Sequence, residues 1–208
     1  MRWVRFNVDK KERKFKFDRK AWEASINEKT KIVFVNNPHN PVGYYFTKDD
    51  LEFMSKVVQK YPNLIVISDE VYEKFTFDGR AHHRFAALPG MWDRTITIFS
   101  SGKVFSSTGW RVGFSIAPAH FTKYIGSWQT WSVYCLNTLA ARATELSMQA
   151  AVAKEYEGHK DYYTWLNKTF NWRSNRITEI VNSSTLDLQV ALPANTDVST
   201  GRRVLHTR

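Results

Sequence analysis

Three short runs, residues 31–35 (KIVFV), 64–68 (LIVIS) and 95–100 (TITIFS), are apolar or β-branched at nearly every position. A strand with one wet face alternates apolar and polar residues, whereas an unbroken run reads as a strand covered on both faces. Strands of that kind belong to sheets flanked by helices. A fourth run, residues 111–118 (RVGFSIAP), has the same length and continues the series. Between the first two lies TKDDLEFMSKVVQKYP, in which Thr47 and Asp50 resemble a capping box. Leu51, Met54, Val57 and Val58 follow at helical spacing, and Pro62 stops the helix. Strand, helix, strand is the βαβ unit. The expected fold class is therefore α/β, a mostly parallel sheet with helices on both faces.

After Pro118 the pattern changes to one long helical stretch over residues 120–168, with Leu136, Leu139, Ala143, Leu146 and Val152 among its apolar members. Such a helix leads from one domain towards another, so residues 1–165 are expected to form a sheet domain. Residues 166–208 then form the truncated or divergent start of a second, smaller one. The tail over 182–208 has weak periodicity, and Arg202, Arg203 and Arg208 stand in no recognisable motif.

Composition closes off several classes. With 43% hydrophobic and 15% aromatic residues in 208, the chain can bury a core and is not disordered. Its one cysteine, Cys135, excludes an intrachain disulfide and a cysteine-rich zinc cluster, and is expected to pack within a helix. His82 and His83 are adjacent and have no further ligand cluster nearby, so they read as loop and no metal is expected. The triplets at Asn167 and Asn182 match glycosylation sequons, but without a signal peptide they read as accidental. No run approaches the roughly 18 apolar residues that cross a bilayer, and the opening residues lack the apolar core of a signal peptide. The cytoplasm is the expected compartment, with the mitochondrion as the alternative. The net charge of +10 raises the question of nucleic acid. Much of the excess sits in the first twenty residues, where the alternation Lys14-Phe15-Lys16-Phe17 reads as a half-buried edge strand guarded by lysines. No nucleic-acid-binding motif accompanies it, and nucleic acid is not an expected partner.

In open α/β sheets, ligands bind beyond the carboxyl ends of the strands. The first run is followed by Asn36-Asn37-Pro38-His39-Asn40-Pro41-Val42-Gly43. The second leads to Asp69-Glu70-Val71-Tyr72, and the third to Ser100-Ser101-Gly102-Lys103, with Gly109-Trp110-Arg111 opening the fourth. Amide, carboxylate, phenol, hydroxyl, amine and guanidinium all arrive at strand ends. A pyridoxal phosphate site asks for this set. It needs a lysine for the aldehyde, a carboxylate to keep the pyridine nitrogen protonated, donors near the ring oxygen, and cations with small hydroxyls around the phosphate.

The three blocks, in this order and spacing, resemble the large domain of the class I/II aminotransferases, the pyridoxal phosphate enzymes of fold type I. The text around them (D-G-R-A-H-H, A-L-P-G-M-W-D-R-T-I-T, G-K-V-F-S-S-T-G-W-R-V-G) is most similar to kynurenine–oxoglutarate aminotransferases, which also act as cysteine-S-conjugate β-lyases. The resemblance covers residues 14–165 and implies pyridoxal 5'-phosphate as cofactor. Lys103 falls on the lysine that carries it, and Asp69 on the carboxylate of the pyridine nitrogen. Tyr72 and Asn40 fall on the groups beside the phenolic oxygen. Ser100 and Arg111 fall on phosphate contacts, where several relatives place lysine at the position of Arg111. His39 stands where relatives often have asparagine or threonine.

The implied reaction moves an amino group between a kynurenine-, glutamine-like or aromatic amino acid and a 2-oxo acid, in a homodimer. Family segments that reach the partner's site, stack on the pyridine and grip the substrate α-carboxylate find no counterpart in these residues, so the chain resembles the central portion of such an enzyme. Cysteine-S-conjugate β-elimination and a non-catalytic remnant remain the alternative readings.

Overall fold

The computed structural model describes residues 1–9 and 14–184. A small antiparallel hairpin pairs β1 (Asn7–Asp9) with β2 (Lys14–Lys16), Val8 facing Phe15 in register. The lysine-guarded strand is thus part of a separate two-stranded sheet, and Phe15 packs on the main core. Lys10, Lys11 and Arg13, part of the charge excess of the first twenty residues, and Arg202, Arg203 and Arg208 of the tail lie outside the described residues.

The four apolar runs form one sheet in the order β3 (Ile32–Asn36), β4 (Ile65–Asp69), β5 (Thr95–Ser100), β6 (Gly113–Ile116). The first three are parallel and the fourth is antiparallel to β5. Two helices, α1 (Arg19–Ala24) and α2 (Lys48–Gln59), bring Trp22, Leu51, Met54 and Val58 into one buried cluster with Val33, Val35 and Val66 of the strands. The helix start is as the sequence suggests. The Thr47 side chain accepts from the Asp50 N–H at 3.1 Å, and the Asp50 carboxylate accepts from the Thr47 N–H at 3.2 Å. Asp50 also takes Arg19 at 2.7 Å and the Tyr44 hydroxyl at 3.3 Å, tying α1 to α2. Burial, reinforced by the charge of Asp50, pushes the Tyr44 hydroxyl up to about 12. Since a hydroxyl cap is worth about 1 kcal/mol, Thr47→Ala is expected to lower the unfolding free energy by about that amount, measured by urea titration. An unchanged midpoint would show that the cap carries no stability.

Three expectations need correction. Burial on both faces fails at β3, where Val33 and Val35 are buried but Ile32 and Phe34 are 54% and 60% exposed. Successive side chains on a strand point to opposite faces, and α1 and α2 pack only on the face of Val33 and Val35. The single helix over 120–168 is three: α4 (Ala119–Ser132), α5 (Thr138–Ala153) and α6 (Tyr162–Ser183). A break at Val133–Asn137 puts Tyr134 in the left-handed region, φ +67°, and Asn137 then caps α5 through Ala140 N–H. Cys135 therefore lies in an exposed turn and is not packed within a helix. Asp161 caps α6 in the same way at Thr164 N–H. The division between residues 165 and 166 falls inside α6. Among the described residues no helix is long and apolar enough to cross a membrane.

Candidate active site

The parallel strands end in register, Asn36 beside Asp69. The carbonyl of Asp69 accepts twice from the neighbouring strand end, from Asn37 N–H at 2.9 Å and from Asn36 Nδ2 at 3.1 Å. Asn36 turns its other amide atom to the loop beyond, where Oδ1 accepts from Asn40 N–H at 2.7 Å. Asn40 Nδ2 in turn lies 3.0 Å from the hydroxyl of Tyr72, on the turn after β4. A hydrogen-bonded path thus fixes Asp69, Asn40 and Tyr72 relative to one another, with Asn36 as its hub.

Lys103 approaches from the next strand end. It sits on α3 (Ser101–Val104), one short turn that begins where β5 stops. That turn is clamped from behind. A Cβ on Gly102 would meet Thr108 Cα at 2.8 Å, so only glycine allows this approach. Ser101 Oγ donates to Val112 O at 2.9 Å, and Thr108 Oγ1 to Gly102 O at 3.1 Å. The Lys103 ammonium nitrogen lies 5.7 Å from the centroid of the Tyr72 ring, within reach of a cation–π attraction.

A cavity of about 600 Å³ lies here, whose walls include Asn40, Tyr72 and Lys103 together with Tyr45, Phe75 and Phe170. The other three sequence-derived candidates are not on its wall. Asp69 is half-buried beside it. Burial pushes its carboxyl above the ordinary range, Val71 N–H (3.3 Å to Oδ1) and the Lys103 charge pull it back, and Glu70 pushes it up. Ser100 is half-buried immediately before the lysine turn and makes no capping bond to it. Arg111 is exposed, in the left-handed region at φ +56°, and its guanidinium donates to Thr108 O at 3.3 Å. Thr108 does line the cavity, so Arg111 stands one residue removed from it. His39 is also on the wall, its ring 4.9 Å from Phe6 and its pKa lowered by burial.

Several contributors have no distinct signal in the sequence. Asn36 was visible as a polar residue at a strand end, but its hub role depends on the register of β3 and β4. Phe170 comes from α6 and meets Phe75 edge-to-face at 5.1 Å. Asn167, one turn earlier, donates to the carbonyls of Lys74 and Thr76 and holds that wall to the helix. An amide already engaged with backbone carbonyls also suits the reading of its sequon as accidental.

Comparison with known proteins bears on the same arrangement. The family described as Aminotransferase class I and II matches residues 1–197. A kynurenine–oxoglutarate transaminase of Dictyostelium discoideum is 41% identical over 174 residues, 83% of this chain and 39% of that protein. Kynurenine–oxoglutarate transaminase 3 of Mus musculus is 38% identical, over 80% of this chain and 36% of its own length. Among solved structures, an aromatic aminotransferase from Pyrococcus horikoshii superimposes with a TM-score of 0.69 at 31% identity, covering 86% of this chain and 44% of that one. The chain thus spans about two fifths of the curated relatives it matches. With three motif blocks at the strand ends and the family match running through all of them, the chain belongs to the class I and II aminotransferases.

Proposed function

We propose that the complete protein is a pyridoxal phosphate-dependent aminotransferase that moves an amino group between an aromatic, kynurenine- or glutamine-like amino acid and a 2-oxo acid. The observation that carries this reading is the convergence of Lys103, Tyr72 and Asn40 on one cavity at the carboxyl edge of the sheet, with Asp69 beside them. The donor set suits the cofactor. The cavity volume of about 600 Å³ is in the range of small-ligand sites, and a desolvated carboxylate near a lysine is chemically ready for a ring N–H⁺. When bound, pyridoxal phosphate supplies a carbonyl carbon for amines and a ring that takes up the electron pair of the substrate's Cα–H bond.

In this reading Lys103 is the attachment point and the base that moves the α-proton, while Asp69 holds the proton on the ring nitrogen. Tyr72 and Asn40 would hydrogen-bond the phenolic oxygen, and Ser100 and Arg111, which stand just off the wall, would hold the phosphate. Tyr45, Phe75 and Phe170 offer aromatic faces to a substrate side chain. Residues 1–165 form the cofactor-binding domain and residues 166–208 the truncated or divergent start of a smaller C-terminal domain, with α6 running from one into the other. The test is to add pyridoxal phosphate to the full-length protein, reduce with borohydride and map the peptides. A pyridoxyl adduct concentrated on Lys103 is expected, and an adduct spread over other lysines would sink the assignment.

The complete enzyme is a homodimer in the same reading. Tyr124, Trp128 and Trp131, one helical turn apart on α4, are 70%, 75% and 87% exposed, an aromatic stripe suited to a second copy. Sedimentation velocity on the full-length enzyme decides it: a dimer mass is expected, and a monomer at micromolar concentration contradicts it.

A further inference from the structure

Directly after Asp69 stands Glu70, a carboxylate 1% exposed. It lines no part of the large cavity. Its two oxygens meet four donors: Ser68 Oγ at 2.9 Å and Phe85 N–H at 3.3 Å on Oε1, His82 Nε2 at 2.8 Å and Arg84 Nη1 at 3.5 Å on Oε2. Four donors fill the acceptor sites that a carboxylate has. Arg84 uses its second nitrogen on Glu73 and lays its guanidinium over the Phe99 ring, 5.0 Å from the centroid.

The positions of these donors in the chain give the arrangement its meaning. Glu70 opens the segment that leaves β4, and His82, Arg84 and Phe85 close it, so both ends of residues 71–84 meet at one buried carboxylate. The residues between the ends include Tyr72, Phe75, Thr76, Phe77 and Arg80 of the cavity wall. The middle of the segment is held at separate points: by Tyr45 at Ala81 O, by Asn167 at Lys74 O and Thr76 O, and by Asn171 at Asp78. Its two ends are held together by Glu70. Burying a carboxylate costs several kcal/mol before its donors compensate. A buried pair of this kind therefore adds little net stability against apolar packing, while a buried carboxylate with both oxygens engaged by donors holds one geometry strongly.

We propose that Glu70 and His82, with Ser68, Arg84 and the Phe85 N–H, form a clasp that sets the position of the 71–84 wall, and with it Tyr72, Phe75 and Phe77 on the cavity. Both are positioning residues: they touch the wall's ends and leave the chemistry to others. The proposal rests on the reading of the cavity as the cofactor and substrate site, but its first test does not need that reading.

The test compares Glu70→Gln, His82→Leu and His82→Gln with the parent in the full-length protein. Amide hydrogen exchange is read over residues 71–84, with α2 as internal reference. Glu70→Gln and His82→Leu each break the clasp, and loss of a hydrogen bond to a buried charge is expected to speed exchange over 71–84 by about tenfold or more, with α2 unchanged. His82→Gln keeps a donor for Glu70 and is expected to restore most of the protection. The second readout is the split between KM and kcat. The apparent KM for an aromatic amino donor is expected to rise by about fivefold or more with the pyridoxyl adduct on Lys103 retained, since a displaced wall loses substrate contacts and not the attachment point.

Unchanged exchange over 71–84 overturns the clasp. An equal rise in α2, or failure of all three variants to fold, makes Glu70 a general stability element and overturns the positioning role. Faster exchange with unaltered KM overturns its link to the site. If the parent itself forms no adduct on Lys103, the site reading falls while the exchange result still judges the clasp.

Discussion

Lys103→Ala is expected to abolish the borohydride-stable pyridoxyl adduct and to lower transamination in the full-length enzyme by at least the 10²–10⁴-fold, roughly, that general-base catalysis contributes. The expectation follows from position. Lys103 is on the wall of the large cavity, on a turn locked by the Gly102–Thr108 approach and by Ser101. It shares that wall with Tyr72, 5.7 Å from nitrogen to ring centroid. An amine there can both attach to a carbonyl carbon and carry a proton to and from a substrate carbon. Lys103→Arg keeps the charge and most of the length but offers neither function at neutral pH, because a guanidinium stays protonated. The arginine variant should therefore be as inactive as the alanine one, while a role limited to charge would leave it active. Lys103→Arg keeps the charge beside Tyr72 and Asp69 and should unfold near the parent's denaturant midpoint, while Lys103→Ala should lose about 0.5–1 kcal/mol with the cation–π contact. Turnover within a few fold of the parent, or an adduct that merely moves to another lysine with activity intact, would remove Lys103 from the chemistry.

The second large effect concerns Asp69, and its two consequences have opposite signs. Burial raises the carboxyl's folded-state pKa above its ordinary value of 3.8. A carboxyl raised in this way costs the fold nothing below the unfolded pKa. The cost grows as pH rises between the unfolded and folded values and is complete above the folded one. At neutral pH, Asp69→Asn should therefore melt no lower than the parent without cofactor, and higher if the turn with Val71 persists. Cofactor binding should move the other way. Breaking a buried ion pair costs about 3–5 kcal/mol. Asp69 is only half-buried, which points to the lower end, about 3 kcal/mol, or about 100-fold in Kd. A thermal melt with and without pyridoxal phosphate, together with a fluorescence titration of the cofactor, measures both. Equal cofactor affinity in parent and asparagine variant would falsify the pairing, whatever the melt shows.

The sequence by itself determined what depends on near neighbours. The apolar runs became β3 to β6, because a run of β-branched and aromatic residues has few other ways to bury itself. Thr47 and Asp50 became a reciprocal cap, because both partners lie within one turn. The gathering of the candidate residues was legible because parallel strands deliver whatever follows them to a common edge. That argument located Asn40, Tyr72 and Lys103 on a single cavity and Asp69 beside it. It could not tell that Ser100 and Arg111 stand off the wall, since a side chain's direction depends on the turn that carries it, and Arg111 adopts a left-handed φ that non-glycine residues rarely take.

Tertiary structure decided the rest, wherever the partners are distant in sequence or a periodic pattern hides a break. The stretch over 120–168 keeps an apolar helical rhythm through Tyr134, without glycine or proline to mark the end of α4, so composition read it as one helix. Whether both faces of a strand are covered depends on what packs there, and α1 and α2 reach only one face of β3. Phe170 lies some ninety residues from Phe75 in the chain, so no local pattern could place it on the cavity. Glu70 and His82 read as a motif letter and a loop histidine. Only when the segment between them closes does a buried carboxylate acquire three of its four donors. A buried charge must find partners wherever the fold brings them, and a linear pattern carries no record of where that will be.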